Sequence, residues 1–148
     1  MPTGTLRGDT RNQVTVDYEY EVTFLYENRY LNNQAVLNNT GATITLVNGT
    51  VLGRIAATNK LVPLNPAGVD GSEFPVGIYK GGDLELAAAA EDVCTICIAG
   101  SVNENKLDFI VTATLDTVIK LKTVRDRIAA DTAGIVLVLS DELSNYDN

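Results

Sequence analysis

The order of apolar and polar positions along this chain is that of a β protein. The strongest stretch is residues 14–26, where Val14, Val16, Tyr18, Tyr20, Val22, Phe24 and Tyr26 alternate with Thr15, Asp17, Glu19, Glu21, Thr23 and Leu25. An unbroken period of two with β-branched and aromatic residues predicts an extended strand with two unlike sides. At roughly 3.3 Å per residue the strand would run about 40 Å, well beyond the five or six residues usual in a small domain. Two readings follow: one or two amphipathic strands packed on the core, or a strand that reaches a neighbouring chain. The acidic side, Asp17, Glu19 and Glu21, reads as a solvated face, because no Asx-rich loop of the kind that holds calcium surrounds it.

Punctuation by turn residues sets the remaining elements. Residues 1–13 are polar and carry Gly4 and Gly8, the composition of a flexible arm. Asn32, Asn33, Asn38, Asn39 and Gly41 mark loops. The runs Thr43–Val47 and Thr50–Leu52 flank Asn48-Gly49, which predicts a tight turn with positive φ between two strands. Another strand starts at Ile55, turns at Thr58-Asn59-Lys60 and returns at Leu61-Val62. Pro63 to Ser72 make a long loop, Pro75–Tyr79 a short strand with proline at its first position, and Lys80–Asp83 a turn. Leu84–Ala90 is alanine-rich and helix-like, although it lies between strands. Leu107–Val111 reads as a strand. One short helix is predicted: Thr123 followed by Asp126 resembles a capping box, Val124 and Ile128 form one apolar face with Leu121 leading in, and Gly134 ends it. The strand Ile135–Leu139 follows, and the tail Ser140–Asn148 is polar and acidic and should fray. Seven or eight short strands and one helix indicate a barrel-like or sandwich-like domain and not a βαβ array.

The two cysteines fall inside this pattern. Cys94 and Cys97 have CxxC spacing, but the run Val93–Ala99 is apolar on both alternations and reads as a buried strand. On a strand, positions three apart face opposite sides of the sheet. No second pair and no histidine completes a zinc site. The thiols are therefore expected to be inert core residues, and no cofactor or metal is implied.

Composition narrows the function. The 148 residues suit one domain, able to bury a core without disulfides. Histidine is absent, which removes the commonest general base and metal ligand. Nineteen acidic against eleven basic residues give a net charge of -8, which repels nucleic acid. There is no tryptophan, against a sugar-stacking module, and no apolar run nears the about 20 residues that span a membrane. The residues Met1–Arg7 lack a signal-peptide core, as expected for a protein made and folded in a reducing cytoplasm.

The stretches Gly49–Ile55, Asn59–Leu64, Asp70-Gly71-Ser72 and Pro75–Ile78, followed by Asp92–Leu107, Val124-Arg125-Asp126 and Ala133–Leu137, together resemble the head decoration proteins of tailed phages. The resemblance covers about residues 35–139, is densest over 49–78, and rests on turn-forming Gly, Pro and Asp. It implies a mainly β, non-enzymatic virion protein: a small β-barrel or β-tulip-like domain over 35–148 with one short C-terminal helix, and an N-terminal arm and extended strand over 1–34. Such proteins sit on the outer capsid surface as homotrimers and reinforce the expanded shell against DNA pressure. Their arm adds a strand to the major capsid protein, which makes Val14, Val16, Tyr18, Tyr20 and Val22 the candidate capsid-binding residues. Neither nucleic acid nor membrane is an implied partner. Two other classes stay in view: a cell-surface or carbohydrate-binding β-module, and a two-carboxylate hydrolase drawing on Asp83, Glu85, Glu91 and Asp92.

Overall fold

A computed structural model describes residues 22–139. The predicted arm over 1–13, the alternating positions up to residue 21, and the tail from Ser140 lie outside the described residues.

The elements are β1 (Phe24–Leu37), β2 (Ile44–Leu46), β3 (Val51–Arg54), β4 (Leu61–Pro63), β5 (Pro75–Lys80), β6 (Leu84–Leu86), β7 (Glu91–Asn103), a 3-10 turn (Glu104–Lys106), β8 (Val118–Ile119), β9 (Lys122–Thr123), α1 (Val124–Asp131) and β10 (Ile135–Val138). Among the described residues the chain is mainly β with one short helix.

β7 is the spine. Its centre, Val93 to Ile98, is β-branched or thiol-bearing throughout and suits a strand covered on both faces. Along one edge it pairs antiparallel with nearly all of β1, from Phe24 opposite Val102 to Leu37 opposite Glu91. Its other edge is shared. β5 takes Thr95–Cys97 antiparallel, and β10 takes Gly100–Asn103 in parallel. β3 joins β5 to β4, and β4 returns to β1 through Val36 and Leu61. The pairings β1-β4-β3-β5-β7-β1 thus close a ring, with β10 as a spur.

Alternation along these strands sorts the core into two clusters. Leu52, Tyr79, Cys94 and Ile96 face one, with Val36, Ile44, Leu46, Leu61 and Leu86. Val51, Ile78, Cys97 and Val102 face the other, with Leu64, Ile119, Val124, Ile128 and Ile135. Cys94 and Cys97 therefore lie on opposite sides of one buried strand, as the three-residue spacing requires. The β2–β6 pair helps cover the first cluster, and α1 with β8 helps cover the second.

Several expectations need correction. Asn48-Gly49 does form a turn, with Gly49 at φ +106° and backbone from Lys106 where a Cβ would stand. Yet β2 and β3 do not pair with each other, since β2 finds β6 and β3 finds β4 and β5. Leu84–Ala90 begins as strand β6, because Leu84 and Leu86 point into the first cluster with Glu85 exposed between them. Tertiary burial overrides the helix propensity of the alanines. Leu107–Val111 is not a strand. Asp108 makes one bridge to Thr50, while Leu107 and Phe109 pack on the second cluster and Ile110 on the first. Ile55 follows β3 and does not start a new strand. Ten strands stand among the described residues where the whole sequence suggests seven or eight, several of them two- and three-residue pieces.

Helix α1 is built as its cap predicts. Thr123 is extended, and its hydroxyl accepts the Asp126 N–H at 3.2 Å. Val124 and Ile128 are fully buried. Leu121 does not lead into that face. It is 97% exposed, at the tip of the β8–β9 hairpin.

Candidate functional site

Two surfaces stand out, the first where the N-terminal region enters the domain. Thr23 is buried and clamped: its carbonyl accepts the Asn103 N–H at 2.8 Å, and its hydroxyl accepts from Asn48 Nδ2 at 3.2 Å. The next residue outward, Val22, is 57% exposed. From Phe24 on, the backbone belongs to the β7 ladder. Of the candidate residues Val14, Val16, Tyr18, Tyr20 and Val22, the first four lie outside the described residues.

Beyond the clamp, β1 bulges. Tyr26 pairs with Ser101 but Arg29 with Ala99, so the strand carries an extra residue there. Glu27 takes φ +53° in the bulge and Gly100 takes φ +108° opposite it. A Cβ on Gly100 would lie 2.6 Å from the Asn28 Cα, so only glycine lets the two backbones approach this closely. A cleft of about 620 Å³ opens over this region, floored by Ala99, Gly100 and Ser101 and walled by Tyr26, Arg29 and Val136. Further along, Phe24 and Tyr30 meet edge to face at 5.7 Å, and the Lys80 ammonium sits 4.9 Å over the Tyr30 ring.

The second surface is the β8–β9 hairpin beside α1. Its two-residue loop, Lys120-Leu121, has φ +47° and +75°, the signs of a type I′ turn, which ordinarily takes Asn-Gly. The surroundings hold it there. Arg127 donates from Nε to the Ile119 carbonyl at 3.1 Å and from Nη2 to the Lys120 carbonyl at 2.8 Å. Lys120 Nζ reaches Glu73 Oε2 at 2.8 Å, and both cations lie 5.1 Å over the Phe74 ring. Ile119 is buried beneath.

Two buried carboxylates brace this half of the domain. Glu73 has a side chain 2% exposed. Burial pushes its pKa up, but hydrogen bonds from Lys120 and from the backbone N–H groups of Glu73 and Gly71, with the Lys120 charge, outweigh that and hold it below the ordinary glutamate range. Glu104, 6% exposed, is paired with Arg125, tying the 3-10 turn to α1. That bond raises the Arg125 pKa.

The thiols belong to neither surface. Both are free and buried. Desolvation, with the nearby Asp92 charge, pushes Cys94 up to about 11. Burial also raises Cys97, partly offset by its hydrogen bonds with Ala99, Asn28 and Arg29. No cluster of metal-binding side chains occurs among the described residues. Asp83, Glu85, Glu91 and Asp92 are all exposed, and Glu91 is paired with Lys60 at 2.7 Å.

Sequence reading missed Leu121 and Val118 as surface residues. The available signal was Leu121 lying between two lysines.

No curated protein matches the chain. The family model for bacteriophage lambda head decoration protein D matches residues 18–132, which spans β1 through α1 and well over half the chain. The chain therefore belongs to the family of bacteriophage lambda head decoration protein D and is a structural phage head decoration protein, associated with the capsid of the virion.

Proposed function

We propose that this chain binds the outer surface of the expanded capsid as homotrimers and stabilises the shell against the pressure of packaged DNA. The observation that carries this reading is the family match over residues 18–132. The net charge of -8 supports an outer position, since an acidic protein facing packaged DNA would be repelled.

The N-terminal region, 1–34, supplies the attachment, and its task divides at the Thr23 clamp. From Phe24 on, the backbone is engaged by β7. Pairing with the major capsid protein therefore falls to Val14, Val16, Tyr18, Tyr20 and Val22. Such a strand gains affinity from main-chain hydrogen bonds and specificity from alternate side chains. Three arms on one trimer convert weak single contacts into strong attachment.

The test is a chain lacking residues 1–21. Circular dichroism should show a folded domain, and co-sedimentation with expanded, undecorated heads should be greatly weakened. Binding at full affinity by the shortened, folded chain would refute the assignment of attachment to this segment.

A further inference from the structure

Packing holds the Lys120-Leu121 turn in shape, but neither packing nor turn chemistry explains a leucine at its tip. A bulky apolar residue stands 97% exposed in the left-handed region, where glycine is favoured. Strain of this kind persists only where the surroundings impose it, and it concentrates at sites of interaction. Here the imposing groups are Arg127, Glu73, Phe74 and buried Ile119. They fix the tip as a rigid knob, with Val118, 61% exposed, at its base. An ordered knob loses little entropy on docking.

The same chain carries a receptor of matching character. An apolar groove of about 250 Å³ runs between α1 and β10, lined by Arg125, Asp126, Ala129, Ile135, Val136 and Leu137. A cavity of about 150 Å³ holds a benzene ring, so this groove admits a leucine side chain. Its outer wall is the outer edge of β10, which among the described residues pairs only with β7. Val136 there is 57% exposed. Charges match as well. Lys122 stands exposed beside the knob and exposed Asp126 on the groove, while Lys120 is already paired with Glu73 and Arg125 with Glu104.

Knob and groove cannot meet within one molecule. The hairpin is bound to the Arg127 side of α1, whereas Arg125 and Ala129 lie about 160° round the helix from it, at 100° per residue. A contact between unlike patches on opposite sides of a subunit is heterologous, and it closes into a ring when the rotation permits.

We propose that Leu121 of one copy inserts into the α1–β10 groove of the next, so that this contact forms the subunit interface. The inference rests on the self-association proposed above and assigns it a surface. The test is oxidative cross-linking of the double variant Leu121→Cys, Ala129→Cys, in solution and on decorated heads. The native thiols are buried and do not compete. The expected product is a closed covalent ring, absent from either single variant. Leu121→Asp, at a position too exposed to disturb folding, should weaken association roughly ten- to a hundredfold, the loss expected on withholding one buried leucine.

Cross-linking of Leu121→Cys alone would show the tip meeting its own copy and overturn the proposal. So would loss of association in Leu121→Asp without the 121–129 cross-link, which keeps the knob but rejects the groove. Unchanged association in Leu121→Asp with no cross-link would overturn the interface and leave self-association standing. A wild-type chain monomeric both in solution and on heads would remove both.

Discussion

Replacing Leu121 by glycine should stabilise the isolated chain. At φ +75° a leucine bears the left-handed penalty of about 1–2 kcal/mol, because its Cβ crowds the following carbonyl. Glycine removes that cost but gives the unfolded chain extra freedom, worth about 0.5–1 kcal/mol against folding. The side chain is 97% exposed, so almost no burial is lost. The difference is a gain of about 0.5–1 kcal/mol, equivalent to a Tm rise of about 1–4 °C for a domain of this size. Urea unfolding at high dilution is the suitable assay, since association would otherwise add to the stability of the wild type. The midpoint should rise with an unchanged slope. A fall of more than about 0.5 kcal/mol at constant slope would mean that Leu121 packs within its own chain, and the exposed-knob account would fail.

Other consequences follow from the buried groups. Glu73→Gln should cost about 1–2 kcal/mol at neutral pH, the value of a charged hydrogen bond reduced by the half-exposed Lys120 partner. Because folding depresses the Glu73 pKa, its contribution is full above the unfolded value of about 4.3 and fades as pH falls through the folded value. Acid titration of stability should therefore be flatter in the variant below about pH 5, and parallel curves would contradict the bracing role of the Glu73–Lys120 pair. Cys94→Ser and Cys97→Ser should each destabilise by about 1–3 kcal/mol by placing a hydroxyl in an apolar cluster, and thiol-labelling of the native chain should be slow. Rapid labelling of both would contradict their placement. Gly100→Ala should cost at least about 2 kcal/mol in thermal unfolding, since its Cβ meets backbone in a positive-φ position. A neutral effect would mean the β1 bulge is not as described.

What the sequence makes legible here are features set by neighbours in the chain. Val93–Ile98 is strand-forming residue by residue, and the Thr123 hydroxyl caps a helix by accepting the Asp126 N–H three residues on. Turns at Asn48-Gly49 and Asn59 show through their side-chain chemistry. Pairing partners do not show. β2 meets β6 about forty residues later, and the ring closes through one parallel bridge between Val36 and Leu61, neither of which leaves a local mark. Leu107 and Phe109 look strand-like but serve as plugs in the second cluster. At the candidate site, the alternation of Val22, Phe24 and Tyr26 is visible in the sequence. The division between clamped and exposed residues at Thr23 depends on Asn48 and Asn103, far along the chain. Leu121 was hidden for the opposite reason, because an apolar residue before a helix is read as core when burial is unknown.

The central claim, that this protein decorates the outside of the head, is tested most directly by a three-dimensional reconstruction of expanded heads with and without the protein. The account predicts added density on the outer surface at the local three-fold positions, with each subunit's Val22 end directed toward the shell. Density confined to the interior, or seen only at two-fold or five-fold positions, would contradict it.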